Sequence, residues 1–408
     1  MGTLSVNWKL ALLKQNPFMD VPPRRPEEAI WAGMTSLKKE LEDLFVESLT
    51  TPTSQVVLNW GAYGSGKTHA AMYFGIPERL PRVEGKKVRE VRILYIRTPK
   101  EPPRADEILY KDVIERLRFS EIRKAVRDVI NEYGEEQSLQ LLQEATESEA
   151  LGKAIWLLGV EGARITQPRL FEGKEGSEEW ERLLQAYFFS QTTKTDLKRL
   201  GLSRNISTAR ERFQVLGGLL HCFIGFAPTE NIEAHTRLIL WLDEVEDLIY
   251  FTAQQSRSFS QGLRDLVDRC PAYFTLLLNF TLATPESLED AEIVLTPALI
   301  NRVTHRVFFQ RPSQDDAYEY VLDLLRQYRT RSPGDYGLPE TYPFEEEALK
   351  QLVSFVSPCT PRELNNFCRD IVSQALLQGV ISGEGKGIIS KEFVSGILER
   401  RTRQSIES

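Results

Sequence analysis

The chain has little cysteine and little histidine, four of each in 408 residues. Cys222, Cys270, Cys359 and Cys368 are scattered without C-x-x-C spacing, which argues against a zinc site and against a disulfide framework. His69, His221, His235 and His305 form no ligand pattern either. No apolar run approaches the ~20 residues of a membrane-spanning helix, so no membrane partner is expected. The opening residues Met1-Gly-Thr-Leu-Ser-Val6 lack the basic-then-apolar order of a signal peptide. Val6 also stands where a myristoylation signal needs Ser or Thr. These absences together point to a reducing cytoplasmic setting. A basic excess is missing too: 51 Lys and Arg against 58 Asp and Glu leave a net charge of −7. That argues against indiscriminate nucleic-acid binding by the whole surface, and leaves room for a local basic patch or a groove made by oligomerisation.

What is present is enough apolar material, 41% of residues, to build real cores, in a chain long enough for two or three domains. The stretch that organises it is Gly61-Ala-Tyr-Gly-Ser-Gly-Lys-Thr68, which fits the phosphate-binding loop pattern of Gly, four residues, then Gly-Lys-Thr. The strand formers of Ser54–Trp60 precede it, and His69–Phe74 reads as a short helix stopped by Gly75 and Pro77. Glycines at Gly61, Gly64 and Gly66 let backbone N–H groups turn inward onto phosphate oxygens at the positive end of a helix. Lys67 then reaches the terminal phosphates, and Thr68 offers a hydroxyl to a magnesium ion. Ala62, Tyr63, Ser65 and His69 complete the candidate nucleotide-binding set.

In chain order, residues 1–30 hold Asn16-Pro and Val21-Pro-Pro-Arg-Arg-Pro26, which predict an extended arm without helix. That arm either packs on a neighbouring subunit, covers a nucleotide base or is a loose tail. Leu37, Leu41, Leu44 and Phe45 place an amphipathic helix over 35–49. A hinge at Glu84–Lys87 precedes a second strand at Val91–Ile96. Residues 105–225 then separate this strand from the next by far more than a usual crossover. Their apolar stripes predict an all-helical insertion, with a loop at Glu172–Ser177 and a capping box at Thr208-Ala-Arg-Glu211. Thr236-Arg-Leu-Ile-Leu-Trp-Leu-Asp243 is the near-continuous apolar run that a buried parallel strand needs. At its end Asp243 is placed to hold magnesium and Glu244 to activate water, while Glu246 and Asp247 read as solvated or capping. Tyr273–Phe280 is another buried strand, and Asn279 is its polar exception, suited to orienting water and sensing a γ-phosphate. Arg302 is the candidate arginine finger, with Arg306 on the last strand as the fallback. Beyond Pro312, four segments read as a small helical bundle: Gln314–Arg329, Phe344–Val356, Pro361–Leu377 and Ser390–Arg400. Arg362 sits in the first turn of the third, within reach of phosphate. No stretch after it is long enough for a further domain such as a winged helix.

With Gly61–Thr68, Asp243-Glu244, Asn279, Arg302 and Pro361-Arg362 in this order, the chain resembles the AAA+ ATPases over most of residues 30–400, the inserted helices excepted. The resemblance implies an α/β fold with a parallel sheet ordered 5-1-4-3-2, a large helical insertion and a C-terminal helical lid. It also implies ATP and Mg²⁺ bound between subunits of a ring or filament, with catalytic roles for Glu244, Asn279, Arg302 and Arg362 and metal-binding roles for Thr68 and Asp243. The implied layout is an arm at 1–30, an ATPase core at 31–312 and a lid at 313–408. Within the family the chain looks most like the origin-recognition and initiator clade. Gly61–His69 and Trp241–Leu248 are similar in style to its prokaryotic relatives among phage-defence (BREX-type) ATPases and transposition regulators. Trp31-Ala-Gly-Met34 stands where a Gly-Arg pair often opens the module, the helical insertion is not a general family feature, and the winged helix of initiators is missing.

Three functions follow. The first is an ATPase that assembles as a homo-oligomer on double-stranded DNA and uses hydrolysis to release or remodel the assembly. The second is a protein-directed switch or scaffold that recruits an effector through the insertion. A protein unfoldase ranks below both, because no aromatic-Val-Gly pore loop follows the second strand.

Overall fold

The computed structural model describes residues 6–83, 90–160, 173–226, 235–282, 291 and 294–407. The Glu84–Lys87 hinge lies outside them. Five strands form one sheet: β1 (Gln55–Gly61), β2 (Glu90–Arg97), β3 (Thr236–Asp243), β4 (Phe274–Thr281) and β5 (His305–Phe309), in the order β2-β3-β4-β1-β5. Read from the other edge this is the expected 5-1-4-3-2, the topology of an AAA+ P-loop sheet. β3 pairs parallel with β2 and β4, with Tyr95 opposite Trp241 and Leu242 opposite Leu278. All eight residues of β3 are buried, which explains why its apolar run barely alternates.

The chain divides into two compact units. One comprises residues 42–60 and 75–307. Between β2 and β3 it carries, among the described residues, seven α-helices: α3 (Ala105–Leu117), α4 (Phe119–Tyr133), α5 (Glu135–Thr146), α6 (Glu149–Trp156), α7 (Gly173–Phe188), α8 (Lys194–Leu200) and α9 (Ala209–Ile224). The expected loop at Glu172–Ser177 is a correction: α7 already starts at Gly173, its two glycines tolerated in a helix whose Trp180, Leu183, Leu184 and Tyr187 are buried. The Thr208 capping box is present, the hydroxyl accepting from Glu211 N and the carboxylate accepting from Thr208 N. α9 packs on α3, α4, α5 and α6, and also on β3 and on α10 (Ala253–Arg269). The insertion and the sheet therefore share one continuous core.

Close helix crossings depend on glycine. A Cβ at Gly152 of α6 would meet Gln143 Cα and N at 2.5 Å, and one at Gly262 of α10 would enter the Phe213 ring.

The other unit comprises residues 1–41, 61–74 and 308–408. It holds α2 (Lys67–Phe74) and the helices α11 (Gln314–Tyr328), α12 (Glu346–Val356), α13 (Pro361–Leu377) and α14 (Lys391–Glu407). The leading residues differ from the extended arm expected of them. Trp8–Ala11 and Pro26–Glu28 form 3₁₀ turns, and Ala11, Leu13 and Phe18 are buried in one core with Val321, Leu352 and Ile371. Lys14 N donates to Tyr328 O, Thr330 N to Leu12 O and Asn365 Nδ2 to Met19 O. Burial against the chain's own helices, invisible in a local proline pattern, sets this segment's conformation.

All four cysteines are buried as free thiols, and burial pushes Cys359 up to about 11 and Cys270 up to about 12. A thiol reagent at neutral pH should therefore label the protein only after denaturant is added; stoichiometric labelling of the native chain would contradict this packing. Gly152→Ala should lower stability by about 1–3 kcal/mol, because backbone rather than a mobile side chain meets the new methyl; an unchanged urea midpoint would count against the α5–α6 crossing.

Candidate functional site

The phosphate-loop stretch follows β1 directly and opens into α2. Gly64 and Gly66 have φ of +78° and +102°, left-handed values that favour glycine, and a Cβ at Gly66 would face open space. Gly61 approaches so closely that a Cβ there would lie 2.6 Å from Phe309 O. The Lys67 side chain is buried and turns back into the loop, its ammonium donating to Gly61 O (3.0 Å), Ala62 O (3.0 Å) and Ser65 Oγ (3.3 Å). Thr68 is half-buried in the first turn of α2. His69 has its Nε2 2.6 Å from Ile30 O, so its ring ties α2 to the residues before α1 (Thr35–Thr50). Trp31, of the Trp31–Met34 stretch, packs its ring against Tyr73 and Phe74 of α2.

Arg362 lies at the second position of α13, whose start is fixed by a capping box between Thr360 and Glu363. Its guanidinium carbon sits 4.1 Å from the centre of the Tyr63 ring. A Cβ at Gly64 would come within 2.9 Å of Arg362 Cβ and 3.3 Å of Thr360 Oγ1. The structure thus brings Arg362 and the loop together.

The second group of candidates stands at the ends of β3 and β4. Asp243 is 2% exposed. Its Oδ2 accepts from Tyr95 Oη at 2.7 Å and its Oδ1 from Asn279 Nδ2 at 2.9 Å. Burial, and next the Asp243 charge, push the Tyr95 phenol well above its ordinary range, so it remains a proton donor. Asn279 is fully buried, and its Oδ1 accepts from Asn59 Nδ2 (3.0 Å) and Trp241 Nε1 (2.9 Å). An amide has two N–H donors; one is committed to Asp243, and the side chain serves first to orient that carboxylate.

Glu244 adopts a left-handed backbone, φ +58° and ψ +40°, a conformation that side chains other than Gly, Asn and Asp seldom take. Its carboxylate pairs with Lys100 Nζ at 3.0 Å, and the same ammonium meets Asp247 at 3.1 Å. These two carboxylates raise Lys100 above its ordinary range. Asp247 is therefore an ion-pair partner rather than a solvated residue, and Glu246 accepts from Thr281 N at the end of β4. Arg302 is half-exposed and pairs with Asp268 at 2.8 Å. Arg306 is exposed on β5. Among the described residues no cluster of three or more His, Cys, Asp or Glu could hold a metal ion by itself, and no helix is long and apolar enough to cross a membrane.

Sequence reasoning missed Tyr95, Asn59, Trp241 and Lys100. Asn59 carried a signal, a polar residue inside the apolar run Val56–Trp60; Lys100 carried none.

No protein-family model matches the chain, and no curated protein matches it in sequence. Among solved structures it is similar to the Aeropyrum pernix ORC2 protein in its ADP form, at 11% identity and a TM-score of 0.49, covering 95% of this chain and 73% of that one. It is also similar to the Aeropyrum pernix ORC1 protein in complex with DNA, at 12% identity and a TM-score of 0.42, covering 93% and 69%. The Drosophila ORC bound to DNA gives 14% identity and a TM-score of 0.45, covering 98% and 67%. Each is a likeness of chain trace only.

The Asp243 network makes an ordering testable. Asn279→Ala strips partners from Asp243 Oδ1, Trp241 Nε1 and Asn59 Nδ2, each worth about 1–3 kcal/mol when left buried and unpaired. Tyr95→Phe removes a single charge-assisted bond, worth about 1.5–3 kcal/mol. Urea unfolding should rank Asn279→Ala as the more destabilised; the reverse order would contradict the network.

Proposed function

We propose that the chain is an AAA+ ATPase of the origin-recognition and initiator style, close in design to prokaryotic defence or transposition ATPases, that acts as an ATP-controlled switch. The observation that carries this reading is the loop Gly61–Thr68. It has left-handed glycines at Gly64 and Gly66, open space at Gly66, and a lysine ammonium held among its own carbonyls. Phosphate oxygens would replace those carbonyls as partners of Lys67, and the loop's N–H groups would receive the rest. Thr68 and Asp243 have the hard oxygen chemistry that Mg²⁺ prefers, and would hold it directly or through water. The ion would neutralise charge on the transferring phosphoryl group.

Glu244 would take the proton of the attacking water, or orient it, once freed from Lys100. Asn279 would hold Asp243 and turn its remaining N–H toward water or phosphate. Arg302, paired with Asp268 within its own chain, would exchange that partner for the phosphate of a neighbouring subunit in a ring or filament, with Arg306 as the alternative finger. Arg362 would reach the phosphates of its own subunit. The assembly forms on double-stranded DNA, with phosphate contacts whose strength falls steeply with salt. A protein-directed switch that recruits an effector is the second reading, favoured by the net charge of −7 and by an insertion built into the sheet's own core.

Lys67→Ala should abolish ATP binding; unchanged affinity would remove the site. Glu244→Gln should bind ATP without turning it over. Its mass in solution with ATP, with and without duplex DNA at two salt concentrations, separates the readings: a large, salt-sensitive complex needing both supports the DNA-loaded switch, and assembly indifferent to DNA supports the protein-directed one. Arg302→Ala should bind ATP but not hydrolyse it, and mixing it with Glu244→Gln should restore some turnover; no rescue would count against catalysis across subunits.

A further inference from the structure

The phosphate-loop pattern leaves position 63 free, yet this chain places a tyrosine there whose side chain is 71% exposed. An aromatic ring held largely in water at that point needs a reason, and its neighbour supplies one. The Arg362 guanidinium carbon lies 4.1 Å from the ring centre, within cation–π range. A cation–π contact leaves N–H donors of the guanidinium available for other partners. Among the described residues those N–H groups make no hydrogen bond or close ion pair; the Asp20 carboxylate, held by Arg369, feels the Arg362 charge only from a distance. The backbone on both sides is fixed. Gly64 leaves no room for a side chain between the loop and Arg362, and Thr360 caps the helix on which Arg362 rides.

The geometry points to Tyr63 as a positioning residue for Arg362: its ring holds the guanidinium beside the phosphate loop, so that Arg362 meets the terminal phosphate of a nucleoside triphosphate without first being ordered. This deepens the ATPase reading and rests on it. An untethered arginine loses much of its rotamer freedom on ligation, and the stack removes part of that loss before the ligand arrives. The benefit falls on the triphosphate, because a diphosphate lacks the group that Arg362 would touch.

The test uses the full chain and a fluorescent ATP and ADP pair in equilibrium titrations with Mg²⁺. Tyr63→Ala should weaken ATP by about two- to fivefold, the range for an exposed cation–π contact, and weaken ADP by a clearly smaller factor. Tyr63→Phe, which keeps the ring, should restore ATP affinity. Adding Tyr63→Ala to Arg362→Ala should cause no further loss. Equal weakening of ATP and ADP, full additivity with Arg362→Ala, or a Tyr63→Phe variant as weak as Tyr63→Ala would each overturn the role. Lys67→Ala separates this failure from that of the underlying site: if Lys67→Ala binds ATP like the parent, the nucleotide reading falls with everything built on it, whereas loss in Lys67→Ala with a silent Tyr63→Ala removes only the positioning role.

Discussion

A carboxylate on the most enclosed strand of a sheet has to be solvated by protein. Asp243 is that carboxylate, and much of the sheet's side-chain order can be traced to it. β2 contributes the Tyr95 hydroxyl and β4 the Asn279 amide. The amide is in turn held by Trp241 from β3 itself and by Asn59 from β1. Four strands each send a polar group into one chain of hydrogen bonds. A sheet with another strand order would bring other side chains together and leave several of these groups buried without partners, each at a cost comparable to a sizeable fraction of total stability. The network thus constrains the topology as well as the orientation of the Asp243 carboxylate.

The insertion has the same character. Its described helices are not an appended lobe, because α9 lies against both the inserted helices and β3. Its apolar residues belong to the core that contains Leu94, Leu240 and Leu278. Interiors packed at crystal-like density transmit displacement rather than absorb it, so a partner seated on the inserted helices would press on the strand that ends in Asp243.

Local chemistry was legible in the sequence; long-range pairing was not. The unbroken apolar run of β3, the glycine pattern of the loop and the capping box at Thr208 each state their structure within a dozen residues, and the strand order agrees with the family they suggested. The two glycines near Glu172–Ser177 were misleading because buried aromatic residues further along α7 outweigh a weak helix start. Ala11, Leu13 and Phe18 fell in a stretch read as an arm on a neighbour, a cover for a base or a loose tail, because the helices that bury them lie some 300 residues away in sequence. Lys100 and Tyr63 are ordinary residue types at ordinary places. Only folding brings the first to Glu244 and the second under Arg362.

The union of Leu13 and Phe18 with Val321, Leu352 and Ile371 has a temporal side. A ribosome makes residues 11–18 some 300 residues before residues 321–371, at about 5–20 residues per second. For many seconds the early segment has no partner, while the unit built on residues 42–60 and 75–307 has already been synthesised in full. The loop at Gly61–Thr68 belongs with the late partners, since Arg362 and Thr360 stand against Gly64. The residues that stand against the loop are thus made some 300 positions after it, and its closed form waits for them.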